Sequence, residues 1–206
     1  MQLQAVLPPA AETASDEPDA PDGPRLLGDL AVWLVIAAEL LTFGLLFVSY
    51  AFARLQDPAQ FNALQATLDL ERGALNTVLL VSGSAAVAHA VAAFERGRTV
   101  AARRWLLAAL GCGLGFTVLK SAEIAAKVAA GADLSAETFW MFYLLLSGFH
   151  LLHVVAAAVF LAIVWWLAGR GAYGPGRTHV PETAAAFWHM VDLLWIVLFP
   201  LLYVMR

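Results

Sequence analysis

A single cysteine, Cys112, serves all 206 residues, so no intramolecular disulfide and no cysteine-rich metal site can form. It sits in an apolar run and reads as a small packing residue. Charge is also scarce: 14% of residues are Asp, Glu, Lys or Arg, against roughly 25% in an ordinary soluble domain. With 61% hydrophobic residues and a mean hydropathy of +0.74, that scarcity excludes a water-soluble fold. No basic surplus exists to track a phosphate backbone, since the formal net charge is −4, and nucleic acid is excluded as a partner. The opening residues are not expected to act as a secretory leader, because the charges before the first apolar run are mostly acidic rather than basic. The first hydrophobic segment is therefore expected to stay in the mature protein. There is no internal repeat and no pair of Gly/Pro-broken helices in corresponding halves, which argues against the inverted-repeat transporter architecture.

What the sequence does contain is apolar runs of membrane-spanning length. A helix needs about 20 mostly apolar residues to cross the hydrocarbon core. Five such windows occur, at approximately 30–53, 74–94, 105–130, 138–168 and 184–205. They predict an all-α integral membrane protein, a five-helix bundle over residues 29–206. Asp29, Ser135 and Thr183 are the expected N-caps of the first, fourth and fifth helices. Residues 1–28, with Glu12, Asp16, Glu17, Asp19, Asp22 and five prolines, read as a disordered acidic extension. The connections at 54–73, 95–104, 131–137 and 169–183 read as short loops. Arg96, Arg98, Arg103 and Arg104 cluster in the second of these. Placing them in the cytoplasm gives seven Lys/Arg on the inner flanks against four on the outer, with the N-terminus inside and the C-terminus outside. Trp33, Trp105, Trp140, Trp165, Trp166 and Trp188 lie near predicted helix ends, where an indole prefers the interface. Small residues at 82–86 and Gly111, Gly113 and Gly115 mark faces for close helix contact. Pro200 reads as a local kink.

Eight of the ionisable side chains inside the windows carry the argument: Glu39, His89, Lys120, Glu123, His150, His153, His189 and Asp192. A charge facing lipid at a helix centre costs at least about 2.5 kcal/mol, so each is expected to face the interior, a water-filled cavity or a partner. Glu39 stands about ten residues, roughly 15 Å, into its helix. It is either a proton-exchanging or interhelical contact site, or a protonated carboxyl bonded to a neighbouring helix. Lys120 with Glu123, His150 with His153, and His189 with Asp192 are each three residues apart and share a helix face, suggesting an inward polar ladder. The histidines with Glu123 and Asp192 could be pictured as ligands for zinc or non-haem iron. The competing reading, a hydrogen-bonded network locking the helices, is favoured because no dense histidine constellation supplies ligands and their supporting partners. Five histidines cannot build a haem-copper core, which does not exclude a partner of one.

These same residues carry a family resemblance. Ser147-Gly148-Phe149-His150-Leu151-Leu152-His153-Val154 resembles the Thr-Gly-Phe-His-x-x-His-Val signature of subunit III of haem-copper oxidases. Trp188-His189-Met190-Val191-Asp192-Leu193-Leu194-Trp195 is similar to that family's Trp-His-Phe-Val-Asp-x-x-Trp motif on its last helix. Leu75-Asn76-Thr77 followed by His89 resembles a third element, Lys120-Ser121-Ala122-Glu123 a Gln-x-x-Glu element, and Glu39 the membrane carboxylate known for carbodiimide reactivity. The resemblance covers residues 26–206 and implies a five-helix form without the first two helices of the seven-helix subunits.

Gly73-Ala74-Leu75-Asn76-Thr77, the ending at 198–206 and Lys120 in place of glutamine are most similar to the NorE-type branch. The resemblance thus implies a non-catalytic accessory subunit of a nitric oxide reductase in denitrifying respiration, or alternatively subunit III of a terminal cytochrome c or quinol oxidase. It implies no metal or haem on this chain, with haem and non-haem iron or copper held by the catalytic partner, and it admits bound phospholipid. It also implies a bacterial inner membrane, with the N-terminus cytoplasmic and the C-terminus periplasmic.

Overall fold

A computed structural model describes residues 30–135 and 137–205; the acidic segment 1–28 and the expected cap Asp29 lie outside them. Five helices are long and apolar enough to cross a membrane, and no strand occurs among the described residues. They are α1 (Leu30–Gln56), α3 (Leu70–Glu95), α4 (Thr99–Ala129), α5 (Thr138–Gly169) and α6 (His179–Phe199), with a short α2 (Pro58–Gln65) between the first two. A π-turn, Pro200–Val204, continues α6.

The helix ends depart from the hydropathy windows for one physical reason. A window closes where charges begin, but a membrane helix continues past the hydrocarbon into the interface, where long basic side chains lie along it. Arg103 and Arg104 are therefore inside α4 rather than in a loop, and Thr183 is inside α6, which starts after Thr178. Ser135 caps no helix; its backbone N–H and hydroxyl both donate to Asp133 in the α4–α5 turn, and α5 starts after Glu137. The expected loop at 54–73 hides α2, capped by Asp57, whose carboxylate accepts from Gln60 N–H. Phe61 on α2 packs edge-on against Tyr50 of α1 and Phe139 of α5, closing that end of the bundle.

Helices α3 to α6 form a closed ring of contacts, and α1 lies outside it against α5 and α6. Only 11% of the most apolar stretch of α1 is buried, against 56% in α6, so α6 is the centre of the packing and α1 its periphery. Trp188 explains how α6 gets so close. It lies mid-helix, not at an end, and is 2% exposed. Its indole rests on Gly83 of α3 and Gly113 of α4, where an added Cβ would stand 3.0 Å and 2.8 Å from the ring. Here two of the small residues are the receiving surface for a large one, an arrangement that replaces a missing hydrophobic drive in lipid with close packing. Gly111, two residues away, faces open space.

At Pro200 the missing N–H prevents the next α-helical bond, and the chain widens into the π-turn closed by Met205 N–H donating to Pro200 O at 2.9 Å. The sequence-expected kink is this turn, and it carries Tyr203 into the core, 3% exposed.

These contacts set the first expected outcome. Gly113→Ala, which forces a methyl against Trp188, lowers stability by about 1–3 kcal/mol, whereas Gly111→Ala is neutral or mildly stabilising. Thermal unfolding of the two variants in the same mild detergent tests this; equal midpoints would remove the packing role assigned to Trp188.

Candidate functional site

The membrane-embedded polar residues do not form one ladder. They separate into three groups, because a three-residue step turns a helix by about 60° and can direct neighbours into different grooves.

The first group lies wholly inside the ring. Lys120, 0% exposed, and Glu123, 3% exposed, share one face of α4 with Nζ and Oε2 3.4 Å apart. The lysine ammonium donates to Tyr203 Oη at 2.5 Å and is 3.4 Å from Tyr143 Oη. Both phenols in turn donate to Glu123 Oε1, Tyr143 at 2.9 Å and Tyr203 at 2.5 Å. Three ammonium donors thus meet three oxygens, and each carboxylate oxygen accepts. Rings of Tyr143, Trp195 and Tyr203 face the cation with centroids 4.9, 5.4 and 5.0 Å away. One positive and one negative charge are balanced and every polar atom is partnered, the condition for holding an ion pair away from water.

Neither tyrosine was singled out from sequence. Their signal was a phenolic hydroxyl within an apolar segment, which has to find a partner when buried.

The second group surrounds His150 and His153. His150 is 0% exposed, between Phe116 and Trp195, and neither ring nitrogen has a hydrogen-bond partner among the described residues. Trp195 is fixed at its other edge by donating Nε1–H to Thr77 Oγ1 at 2.9 Å, which ties α6 to the start of α3. His153, three residues on, points elsewhere. Its Nδ1–H donates to Phe149 O at 2.7 Å, and Nε2 lies 3.2 Å from Glu39 Oε2 of α1, at ion-pair distance without hydrogen-bond alignment. Glu39 keeps 24% of its side chain exposed, so this pair opens to the side of the bundle between α1 and α5.

The third group is outermost. Ser84 Oγ of α3 lies 3.3 Å from His189 Nδ1, while Asp192 Oδ1 is buried without a hydrogen-bond partner among the described residues. Asp192 is 7% exposed, but His189 is on the surface. His89 is exposed too, with Nδ1–H donating to Ala85 O at 2.7 Å and its ring 4.8 Å from Trp105. These two histidines do not face the interior, so of the placements expected for the eight a cavity or a partner remains for them. Among the described residues no three of His, Cys, Asp and Glu come together in a metal-holding group. What the arrangement can do is hold helices in one register and offer Glu39, His89 and His189 to whatever lies beside the bundle.

Comparison with known proteins places these residues in context. Residues 28–206 match the profile of the family described as cytochrome c oxidase subunit III. The chain is 29% identical over 199 residues to cytochrome c oxidase subunit 3 of Thermostichus vulcanus, covering 95% of this chain and 92% of that one. It is 28% identical over 175 residues to the probable cytochrome c oxidase subunit 3 of Mycobacterium tuberculosis, covering 85% of each. It is also 27% identical over 180 residues to a heme-copper oxidase subunit I+III of Aeropyrum pernix, matching 84% of this chain and 22% of that longer one.

The buried cluster predicts an ordered set of stabilities. Glu123→Ala strands a buried ammonium and costs about 3–5 kcal/mol, and Tyr203→Phe, which removes one acceptor and one donor, costs about 1–3 kcal/mol. The double change Lys120→Met with Glu123→Leu is milder than Glu123→Ala alone, because no charge is left unpaired. Denaturation in mild detergent measures all three, and a double variant worse than the single would overturn the assignment of an interdependent ion pair.

Proposed function

This chain belongs to the cytochrome c oxidase subunit III family, and from that membership we propose that it is the non-catalytic third subunit of a terminal haem-copper oxidase that uses cytochrome c or quinol. The observation that carries the reading is where the signature residues go. His150, Trp188 and Trp195 are spent inside the bundle on ring packing. Glu39, His89 and His189 are left at the lateral surface with no reactive partner set. That division suits a scaffold fitted against a catalytic subunit. The relative named heme-copper oxidase subunit I+III, which joins the two subunits in one chain, supports direct contact with subunit I. Haem and copper would belong to that partner, and phospholipid would fill the remaining contacts.

A nitric oxide reductase partner of the NorE type is the second reading, favoured by one observation. Lys120 stands where the oxidase pattern has glutamine, and it is fully engaged with Glu123, Tyr143 and Tyr203. The relatives from Thermostichus vulcanus and Mycobacterium tuberculosis are cytochrome c oxidase subunits 3 by name, which ranks the oxygen-reducing partner first.

The same reading places the chain in a bacterial inner membrane with the arginine-rich end of the bundle in the cytoplasm. Supporting it, Arg96, Arg98, Arg103, Arg104, Arg170 and Arg177 all lie at the end where α3 passes into α4 and α5 into α6. A periplasm-dependent phosphatase fused after residue 206 is then active and one inserted at Gly97 inactive; the reverse pattern would invert the topology.

The partner is tested by tagging the chain, solubilising membranes in mild detergent from cells grown with oxygen and with nitrate, and identifying the haem subunits that co-purify. A copper-containing oxidase core is the expected result, and its turnover decays faster in a strain lacking this chain. Recovery of a nitric oxide reductase catalytic subunit instead would transfer the chain to the second reading.

A further inference from the structure

At the end of the bundle where α3 turns into α4, six arginines share the space with two carboxylates, Glu95 and Glu182, among the described residues. Arg103 and Arg170 are taken up by indoles, 4.6 Å from the Trp165 ring and 3.7 Å from the Trp166 ring. Arg96, Arg98, Arg104 and Arg177 are exposed and have no ion pair or ring contact among the described residues. At the opposite end Arg54 donates to Asn62 Oδ1, Arg72 pairs with Asp69 and Lys127 donates to Thr67 O. The uncommitted positive charge is therefore confined to one end.

Two turns in contact bring those four arginines together. A Cβ added at Gly97, which takes φ +69° in the α3–α4 turn, would stand 3.2 Å from Pro175 Cγ in the α5–α6 connection, and Phe94 meets Tyr173 edge-on across the same contact. Arg96 and Arg98 flank that glycine, and Arg177 follows the proline by two residues. Arg98 is the N-cap of α4, makes no side-chain cap bond and has no acidic residue in the turn that follows, so its guanidinium adds to the positive end of the helix dipole. Arg104 lines an open groove with Arg98. A partner here has to offer negative charge across both turns, which suits a row of carboxylates along one stretch of chain.

This chain contains such a row. Residues 12–22 hold Glu12, Asp16, Glu17, Asp19 and Asp22 and no lysine or arginine. They lie outside the described residues, but the place where they join the bundle is clear: Trp33, in the first turn of α1, lines one groove with Glu95, the neighbour of Arg96. The eight residues from Asp22 to Leu30 reach at most about 28 Å, enough to cross two helix diameters. A tether this short holds the carboxylates near the arginines at an effective concentration of about millimolar order. We propose that residues 12–22 dock on the arginine end of their own bundle, a salt-sensitive latch in which the carboxylates pair with Arg96, Arg98, Arg104 and Arg177. The contact is independent of which haem subunit the chain assists.

Paired spin labels test it in the full chain in uncharged detergent. They are placed by Ser15→Cys and Gly174→Cys in a Cys112→Ser background, position 174 having open space for an added side chain. A free coil of fifteen residues spreads over about 20 Å, and the distance distribution expected at low salt is about half as wide, opening to the coil value near 1 M salt, where screening shortens to about 3 Å. Arg96→Gln/Arg98→Gln/Arg177→Gln loses the narrowing, as does Asp16→Asn/Glu17→Gln/Asp19→Asn/Asp22→Asn. Arg170→Gln, whose guanidinium is stacked on Trp166, keeps it, and all variants keep the parental helical circular dichroism. A coil-wide distribution at low salt, or a narrow one indifferent to the acidic changes, would overturn the latch. So would widening by equimolar phosphatidylglycerol, which assigns the arginines to lipid headgroups, or the same distance between two singly labelled chains, which assigns the segment to a second copy.

Discussion

One ion pair inside a low-dielectric bundle constrains most of what surrounds it. Lys120 and Glu123 are both on α4, yet their partners come from α5 and from the turn that ends α6. A charge pair that cannot reach water has to be satisfied by protein, so α5 must present Tyr143 at this level and the chain end must bring Tyr203 back into the core. The π-turn at Pro200 is how the second requirement is met. A regular α-helix could not form the next bond at proline, and the wider turn accommodates both the missing donor and the inward tyrosine. A buried pair of this kind is weak evidence for net stability. Its stronger effect is on specificity, because any other rotation of α5 or α6 leaves a charge unpaired.

Trp195 connects this polar layer to the rest of the ring. Its indole faces the ammonium, stacks near His150 and Phe199, and donates to Thr77 of α3. Two turns earlier Trp188 occupies the hollow made by Gly83 and Gly113. The two tryptophans of one sequence motif therefore have distinct physical tasks. Trp188 sets how closely α6 approaches α3 and α4, and Trp195 sets its height and rotation relative to the ion pair.

The fold was largely readable from the sequence because its main determinant, runs of apolar residues long enough to span a bilayer, is a one-dimensional property. Five helices follow from it directly. Helix ends were less accessible: Arg103 and Arg104 interrupt hydropathy but not the helix, and α2 is too short and too polar to register as a span. For the site, sequence identified which side chains must avoid lipid but not whom they would meet. Three residues along one helix bring Lys120 and Glu123 together, 3.4 Å apart. The same spacing misleads for His150 and His153, whose rings enter different grooves and meet Trp195 and Glu39 respectively. Tyr143 and Tyr203, 60 residues apart in the chain, could be joined only by the packing of three helices.

The distribution of polar residues carries the final step toward role. An enzyme centre needs titratable groups that converge on a space where a substrate can sit. Here Lys120, Glu123, Tyr143 and Tyr203 satisfy one another, and among the described residues the polar groups with open faces do not converge. Glu39 with His153 opens toward one side of the bundle, and His89 and His189 are on its surface. Polar atoms left at a lateral membrane surface are costly against hydrocarbon and favourable against a protein partner or a headgroup. The ion-pair cluster thus fixes the register of α4, α5 and α6, and the polar groups with open faces are the part of the described surface available for association.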